Sequence, residues 1–278
     1  MLIDSAISDG TSPRFLPAEL DSFREHGFVI ARKLASDDLV SAMRARVQAD
    51  MINRQEPAEF EADLNYPGAP DSREATGGST IRRLLQAHGR GPEFTQWLIF
   101  PGLVDRLRQL LGASVVMPLA HHNCIMTKHP RFSSDTGWHQ DIRYWSFASP
   151  ELVSVWLALG DETPGNGCLR LIPGSHRADY APEQFDDRKF FRDDLARNKS
   201  EIARCMMAEL RAGDVLFFHC QTLHSATRNL SDDVKLSVVF TFRGQGNPPT
   251  PDSRSASLPE MLLTGDSDRI LVQQETQP

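Results

Sequence analysis

Between residues 114 and 242 the chain repeats one pattern: a short β-branched or aromatic run, a few turn residues, then another run. The runs are Ser114–Met117, His122–Thr127, Trp138–Ile142, Leu152–Leu159, Cys168–Ile172, Val215–Phe218 and Lys235–Phe242. Their separators are rich in turn formers, as in Asp161-Glu162-Thr163-Pro164-Gly165-Asn166-Gly167 and Ala212-Gly213-Asp214. Strands at this spacing predict a β-sandwich or barrel, and a jelly roll behind a helical layer is the economical choice. The expected class is mainly β with flanking helices.

The first third supplies the helical layer. Phe28-Val29-Ile30-Ala31 reads as an early strand after Gly27, and Ser36-Asp37-Asp38 as a helix start, a hydroxyl cap followed by acids at the positive dipole end. Leu39, Met43 and Val47 recur every four residues, so that helix should bury one face. Pro101 opens a second helix, with Val104, Leu107, Leu110 and Leu111 leading to Gly112. Residues 55–80 read as a long loop. The organisation expected is a single domain over 1–278, with a helical part at 1–113, a β core at 114–245 and a tail at 246–278. The charged stretch Asp179–Arg204, expected to be helical, interrupts the strands as an insertion of the kind that forms a functional flap.

Composition narrows the function. A 40% hydrophobic and 24% charged chain is an ordinary soluble globular protein. Its net charge of -7 argues against general nucleic-acid binding, which needs a basic surface. No apolar run has membrane-spanning length, and the start lacks a signal-peptide pattern, so a cytoplasmic location is expected. Cys124, Cys168, Cys205 and Cys220 form no C-x-x-C pair and read as reduced, buried thiols.

The chemistry-bearing residues fall in two segments, Gly137-Trp138-His139-Gln140-Asp141 and Phe217-Phe218-His219-Cys220-Gln221-Thr222-Leu223-His224. Two imidazoles and one carboxylate are the set that holds non-haem Fe(II) with open positions. On one strand His139 and Asp141 would share a face, although a structural histidine bonded to a nearby acid gives the same tripeptide. His224 lies between two predicted strands, where a loop can aim it. His219 is a competing third ligand, but it sits on an apolar run and reads as structural. Lys235, Ser237, Val239 and Thr241 share one face of the last strand, and Leu236, Val238, Phe240 and Phe242 the other. The first face offers an ammonium and a hydroxyl to a small dianion, or is a solvent-facing edge.

Taken together these segments resemble the phytanoyl-CoA dioxygenase family of Fe(II)- and 2-oxoglutarate-dependent oxygenases. The likeness runs from Leu119 to Phe242, with a weaker match at Arg24-Glu25-His26-Gly27-Phe28-Val29. It is carried by Trp138-His139-Gln140-Asp141, Gly165-Asn166-Gly167-Cys168-Leu169, Ile172-Pro173-Gly174-Ser175-His176, Gly213–His219 and His224-Ser225. The resemblance implies a double-stranded β-helix, a jelly-roll variant, with His139, Asp141 and His224 as iron ligands and Trp156 beside the cosubstrate. His176 and His219 match structural positions. O2 and 2-oxoglutarate would be consumed, releasing succinate and CO2 as a small organic substrate is hydroxylated. Asp141 stands where halogenases of this class carry a small residue, so hydroxylation is favoured. The family's usual arginine, eleven residues after the distal histidine, is Lys235 here, with Ser237 following. Lysine keeps the charge but loses the two-donor fork. Arg243, eight positions along, is roughly 26 Å away on an extended strand and cannot substitute.

Arg143, Tyr144, Trp145 and Phe147, with Lys128 and the insertion near the mouth, suit an anionic or amphipathic small molecule or simply pack the insertion. Two rivals remain at this point: a cupin-like metal oxygenase that does not use 2-oxoglutarate, and a non-catalytic sensor that binds iron and 2-oxoglutarate. Oligomeric state is not legible.

Overall fold

The computed structural model describes residues 7–8, 12–64, 66–263 and 270–273. Its strands are β1 (Ile7–Ser8), β2 (Phe28–Ala31), β3 (Ala58–Phe60), β4 (Ile81–Leu85), β5 (Val115–Pro118), β6 (Asn123–Lys128), β7 (Thr136–His139), β8 (Leu152–Ala158), β9 (Leu169–Leu171), β10 (Met206–Ala208), β11 (Val215–His219), β12 (His224–Ala226), β13 (Lys235–Gly244), β14 (Glu260–Leu263) and β15 (Ile270–Gln273). The helices are α1 (Pro17–His26), α2 (Asp37–Ile52), α3 (Pro92–Leu98), α4 (Pro101–Leu111) and α5 (Ala196–Ile202). Every strand expected from the sequence is present, most with shifted ends, and β1, β3, β4, β10, β12, β14 and β15 are additional.

Two sheets face each other. In the larger, β1, β2, β11, β8 and β13 follow in order, and β13 then pairs with β6 along its first half and β5 at its end. The smaller sheet has the order β10-β9-β12-β7. This is the jelly roll. The β13 face that could have been a solvent-facing edge is instead internal: Lys235, Ser237, Val239 and Thr241 are all buried, because β13 is flanked by β6 and β8.

The two-residue strand period divides the large sheet's side chains between two cores. Val29, Val155, Phe217, Val238 and Phe240 point outward into a core closed by the helices, where α2 contributes Leu39, Met43 and Val47, α3 contributes Trp97, and α4 contributes Val104 and Leu107. Phe28, Ile30, Trp156, Leu216, Phe218 and Val239 point inward, meeting Leu169, Leu171 and Ala226 of the small sheet. The Ser36 hydroxyl accepts from the Leu39 amide at 3.3 Å and so caps α2 as expected.

Several sequence segments prove to be one structural joint. Gly27 ends α1 with φ +84, and a Cβ there would lie 2.4 Å from His176 Nδ1 and 2.6 Å from Thr222 Oγ1. Its carbonyl accepts from the His219 amide at 2.8 Å and the Thr222 hydroxyl at 2.9 Å. His176 Nε2 donates to Arg24 O at 3.1 Å. The glycine therefore lets α1 dock against the turn that leads to His224.

Two expectations are corrected. Residues 55–80 are not all loop, since β3 and a 3-10 turn at Glu61–Asp63 form there and β3 pairs with β4. The insertion at 179–204 is helical only at Pro182–Gln184 and α5; the rest is extended or turn, with Phe185 bridged to Phe191. The four cysteines are free, and among the described residues no helix is long and apolar enough to cross a membrane. Phe217 is fully buried and meets Phe15 edge-on at 5.1 Å. Phe217→Ala should cost about 3–5 kcal/mol, read as a lowered midpoint of urea unfolding.

Candidate metal centre and adjoining cavity

His139 ends β7 and His224 begins β12, and the two are direct partners across the antiparallel pair. Their ring centroids lie 4.2 Å apart. Each imidazole is oriented by its own chain: His139 Nδ1 bonds to Gly137 O at 2.8 Å, and His224 Nδ1 to Thr222 O at 2.9 Å. A carbonyl can only accept, so both Nδ1 atoms carry a proton, and both rings turn Nε2 toward Asp141.

Asp141 completes the cluster by a different route from the one the tripeptide suggests. The strand stops at His139, and Asp141 opens a 3-10 turn, Asp141–Tyr144, so the shared strand face is not what brings them together. The turn returns the carboxylate toward both rings: Asp141 Oδ1 is 3.5 Å from His224 Nε2 and 3.9 Å from His139 Nε2. The other oxygen accepts from the Ser154 hydroxyl at 2.7 Å and lies 3.4 Å from His122 Nδ1. One ligand atom from each of His139, Asp141 and His224 lies within 4.8 Å of the others, and all three residues are buried. The distances to Asp141 are too long for hydrogen bonds but suit three donors around one ion.

Electrostatics keep the set ready for a cation. Burial, reinforced by His224 and Arg143, holds the His139 imidazole well below its usual pKa, so it is neutral. Burial tends to raise the Asp141 carboxyl, but His122, His224 and the Ser154 hydrogen bond together hold it below its usual value. The result is a buried anion beside the neutral His139 imidazole.

His219 stays outside this cluster. Its Nδ1 accepts from the Gln221 amide at 3.1 Å, its Nε2 faces Glu151 at 3.7 Å, and its ring lies 5.3 Å from that of His176.

A cavity beside the cluster is lined by His139, Asp141 and His224 and by Trp156, Lys235, Lys128, Arg82 and Arg83. Here the structure adds a residue the sequence reading missed. Glu162, 1% exposed, accepts from Lys235 Nζ at 2.8 Å, Ser237 Oγ at 2.6 Å and Trp156 Nε1 at 2.8 Å. The three side chains expected to meet the cosubstrate do converge on one carboxylate, and that carboxylate belongs to the chain. Glu162 is fixed by mutual backbone hydrogen bonds with Leu210, at 2.8 and 3.1 Å. In sequence it is one acid within a turn, and nothing local marks it.

Phe190 of the insertion approaches His139 edge-on at 5.9 Å, with Arg143 Cζ stacked 4.1 Å from its ring centroid. Tyr144 donates to Arg188 O and Lys189 donates to Arg143 O, fastening the insertion over the turn. Trp145 lies against His121 and His122. Arg243, excluded on distance, pairs instead with Glu260.

A jelly roll with two histidines and a carboxylate gathered inside one end is the architecture of the non-haem iron, 2-oxoglutarate-dependent oxygenases. The profile of the phytanoyl-CoA dioxygenase family matches residues 23–237, and the chain belongs to that family. An ectoine dioxygenase of Bordetella parapertussis is 25% identical over 250 residues, covering 84% of this chain and 77% of the relative. Among solved structures, the non-haem carbocyclase SnoK from nogalamycin biosynthesis superposes with a TM-score of 0.66 at 23% identity, covering 85% of this chain and 87% of SnoK. EctD from S. alaskensis, with 2-oxoglutarate and 5-hydroxyectoine, gives 0.66 at 20% identity, covering 86% and 79%.

The buried Lys235–Glu162 pair yields a prediction independent of catalysis. Lys235→Met should lose about 3–5 kcal/mol by stranding the Glu162 charge, whereas Lys235→Met with Glu162→Leu should recover most of it. Chemical denaturation of the three proteins measures both.

Proposed function

We propose that His139, Asp141 and His224 hold Fe(II) and that the chain uses 2-oxoglutarate and O2 to hydroxylate a small organic substrate. The observation that carries this is the pair of Nδ1–carbonyl bonds, which commit both histidines to presenting Nε2 beside Asp141. Two imidazoles and a carboxylate, buried and oriented in this way, fit an iron ion. When bound, the metal and cosubstrate supply oxidising power for C–H hydroxylation, with succinate and CO2 as coproducts.

The protein's own share is positioning and shielding. The Ser154 hydroxyl holds Asp141 in place, with His122 beside it, and the Gly137 and Thr222 carbonyls hold the rings. Trp156 and Lys235 line the cavity beside the metal ligands, and Glu162 accepts hydrogen bonds from both and from Ser237. Phe190, Tyr144 and Trp145 cover the open side and exclude water from a destructive oxidant. Arg143 leaves Nη1 without a hydrogen-bond partner beside this cover, which supports an anionic or amphipathic substrate.

Iron-loaded protein should release succinate from 2-oxoglutarate under O2, faster when the correct substrate is present. Asp141→Ala should lose iron affinity by at least about 100-fold, the upper end seen when groups supporting a ligand are removed. Full iron occupancy and turnover in that variant would refute the metal assignment. Iron binding without succinate would point to a metal oxygenase of another kind.

A further inference from the structure

The geometry points to Lys128, rather than Lys235, as the residue that receives the distal carboxylate of the cosubstrate, an inference that rests on the proposed use of 2-oxoglutarate. Four cations line the cavity, and three have a carboxylate partner: Arg82 with Glu61 at 3.0 Å, Arg83 with Glu59 at 2.9 Å and Lys235 with Glu162 at 2.8 Å. The fourth, Lys128, is 8% exposed and donates to a backbone carbonyl, that of Ser134, at 3.0 Å. Among the described residues no carboxylate pairs with it.

Its position fits the role. Lys128 ends β6 directly opposite Lys235 on β13, so both stems rise from the same inner face. Side chains so paired have Cβ atoms about 5 Å apart. A carboxylate excluded from Lys235 by Glu162 therefore finds a second ammonium one strand away. Displacing Glu162 would leave its charge buried next to the incoming anion, with two carboxylates competing for one lysine. Binding at Lys128 instead supplies the one missing countercharge. In the ligand-free protein burial, with Arg82 and Lys235 adding to it, holds the Lys128 ammonium well below its usual pKa, and a carboxylate alongside would reverse that shift.

The test is anaerobic titration of the iron-loaded protein with 2-oxoglutarate, followed by visible charge-transfer absorbance. A parallel titration uses 2-oxopentanoate, which has the same oxo-acid end and chain length but no distal carboxylate. Lys128→Met should weaken 2-oxoglutarate binding about 10- to 100-fold, the worth of one charged hydrogen bond, and leave 2-oxopentanoate unchanged. Its melting temperature without ligands should not fall, because an unpaired buried charge has been removed; Lys128→Gln serves as a second variant that keeps a donor for Ser134 O. The double variant Lys235→Met/Glu162→Leu should bind 2-oxoglutarate much as wild type does. Loss of 2-oxoglutarate affinity in the double variant, with or without loss in Lys128→Met, overturns the assignment, since Lys235 would then still serve as anchor. Unchanged affinity in Lys128→Met overturns it as well. Wild-type protein that holds iron but gives no charge-transfer band refutes the use of 2-oxoglutarate itself, a result distinct from failure of the anchor alone.

Discussion

The two-residue period of the large sheet is the constraint on which the rest depends. Along β8 and β13 it sends Val155, Val238 and Phe240 to the helical layer and Ser154, Trp156, Lys235 and Ser237 to the interior of the jelly roll. A one-residue slip would exchange these sets, burying ammonium and hydroxyl groups under the helices and removing the Ser154 support from Asp141. The outer apolar face therefore fixes the register of the polar inner one, and hydrophobic burial holds the candidate metal centre in place. The helices act on the site through this register and, for α1, through the Gly27 joint to the turn before His224.

Inside that frame the site has two electrostatic halves. At the metal end the Asp141 carboxylate, held below its usual pKa, sits against two imidazoles and calls for a cation. Farther in, cations outnumber their carboxylate partners, a local positive charge that calls for an anion. A chelating dianion bridging an iron ion and a buried lysine satisfies both, which is the physical sense of the cosubstrate proposal. Glu162 changes how the second half works. It takes Lys235, Ser237 and Trp156 into one internal hydrogen-bonded group. A guanidinium at 235 would have donors to spare for a second carboxylate; an ammonium already bound to Glu162 at 2.8 Å has fewer.

Much of the architecture was legible because it follows from local pattern. The strands β2, β8, β11 and β13 are apolar and β-branched enough to be read directly, and α2 and α4 carry a capping serine and an N-terminal proline. Short strands such as β10 and β12 have three residues each, too few for a period to emerge. The charge of the insertion suggests helix, but Phe191 packs with Trp138, Ile172 and Leu223 and Phe190 meets His139, contacts that hold much of it in extended and turn conformations. His139 and Asp141 were joined by a strand-face argument, whereas it is a break in the strand that turns the carboxylate back toward both rings.

The sequence by itself determined the jelly-roll class, the family and the identity of the three side chains that could bind a metal. Those rest on residue order, alternation and spacing, which are properties of one dimension. Only the tertiary structure decided which charges are paired. Glu162 meets Lys235 across 73 positions, and Lys128 meets Lys235 across a strand pair, while Asp141 is steadied by His122 and Ser154. Burial strengthens each of these contacts, and burial and long-range proximity are set by the packing of the two sheets, which no local window of sequence contains.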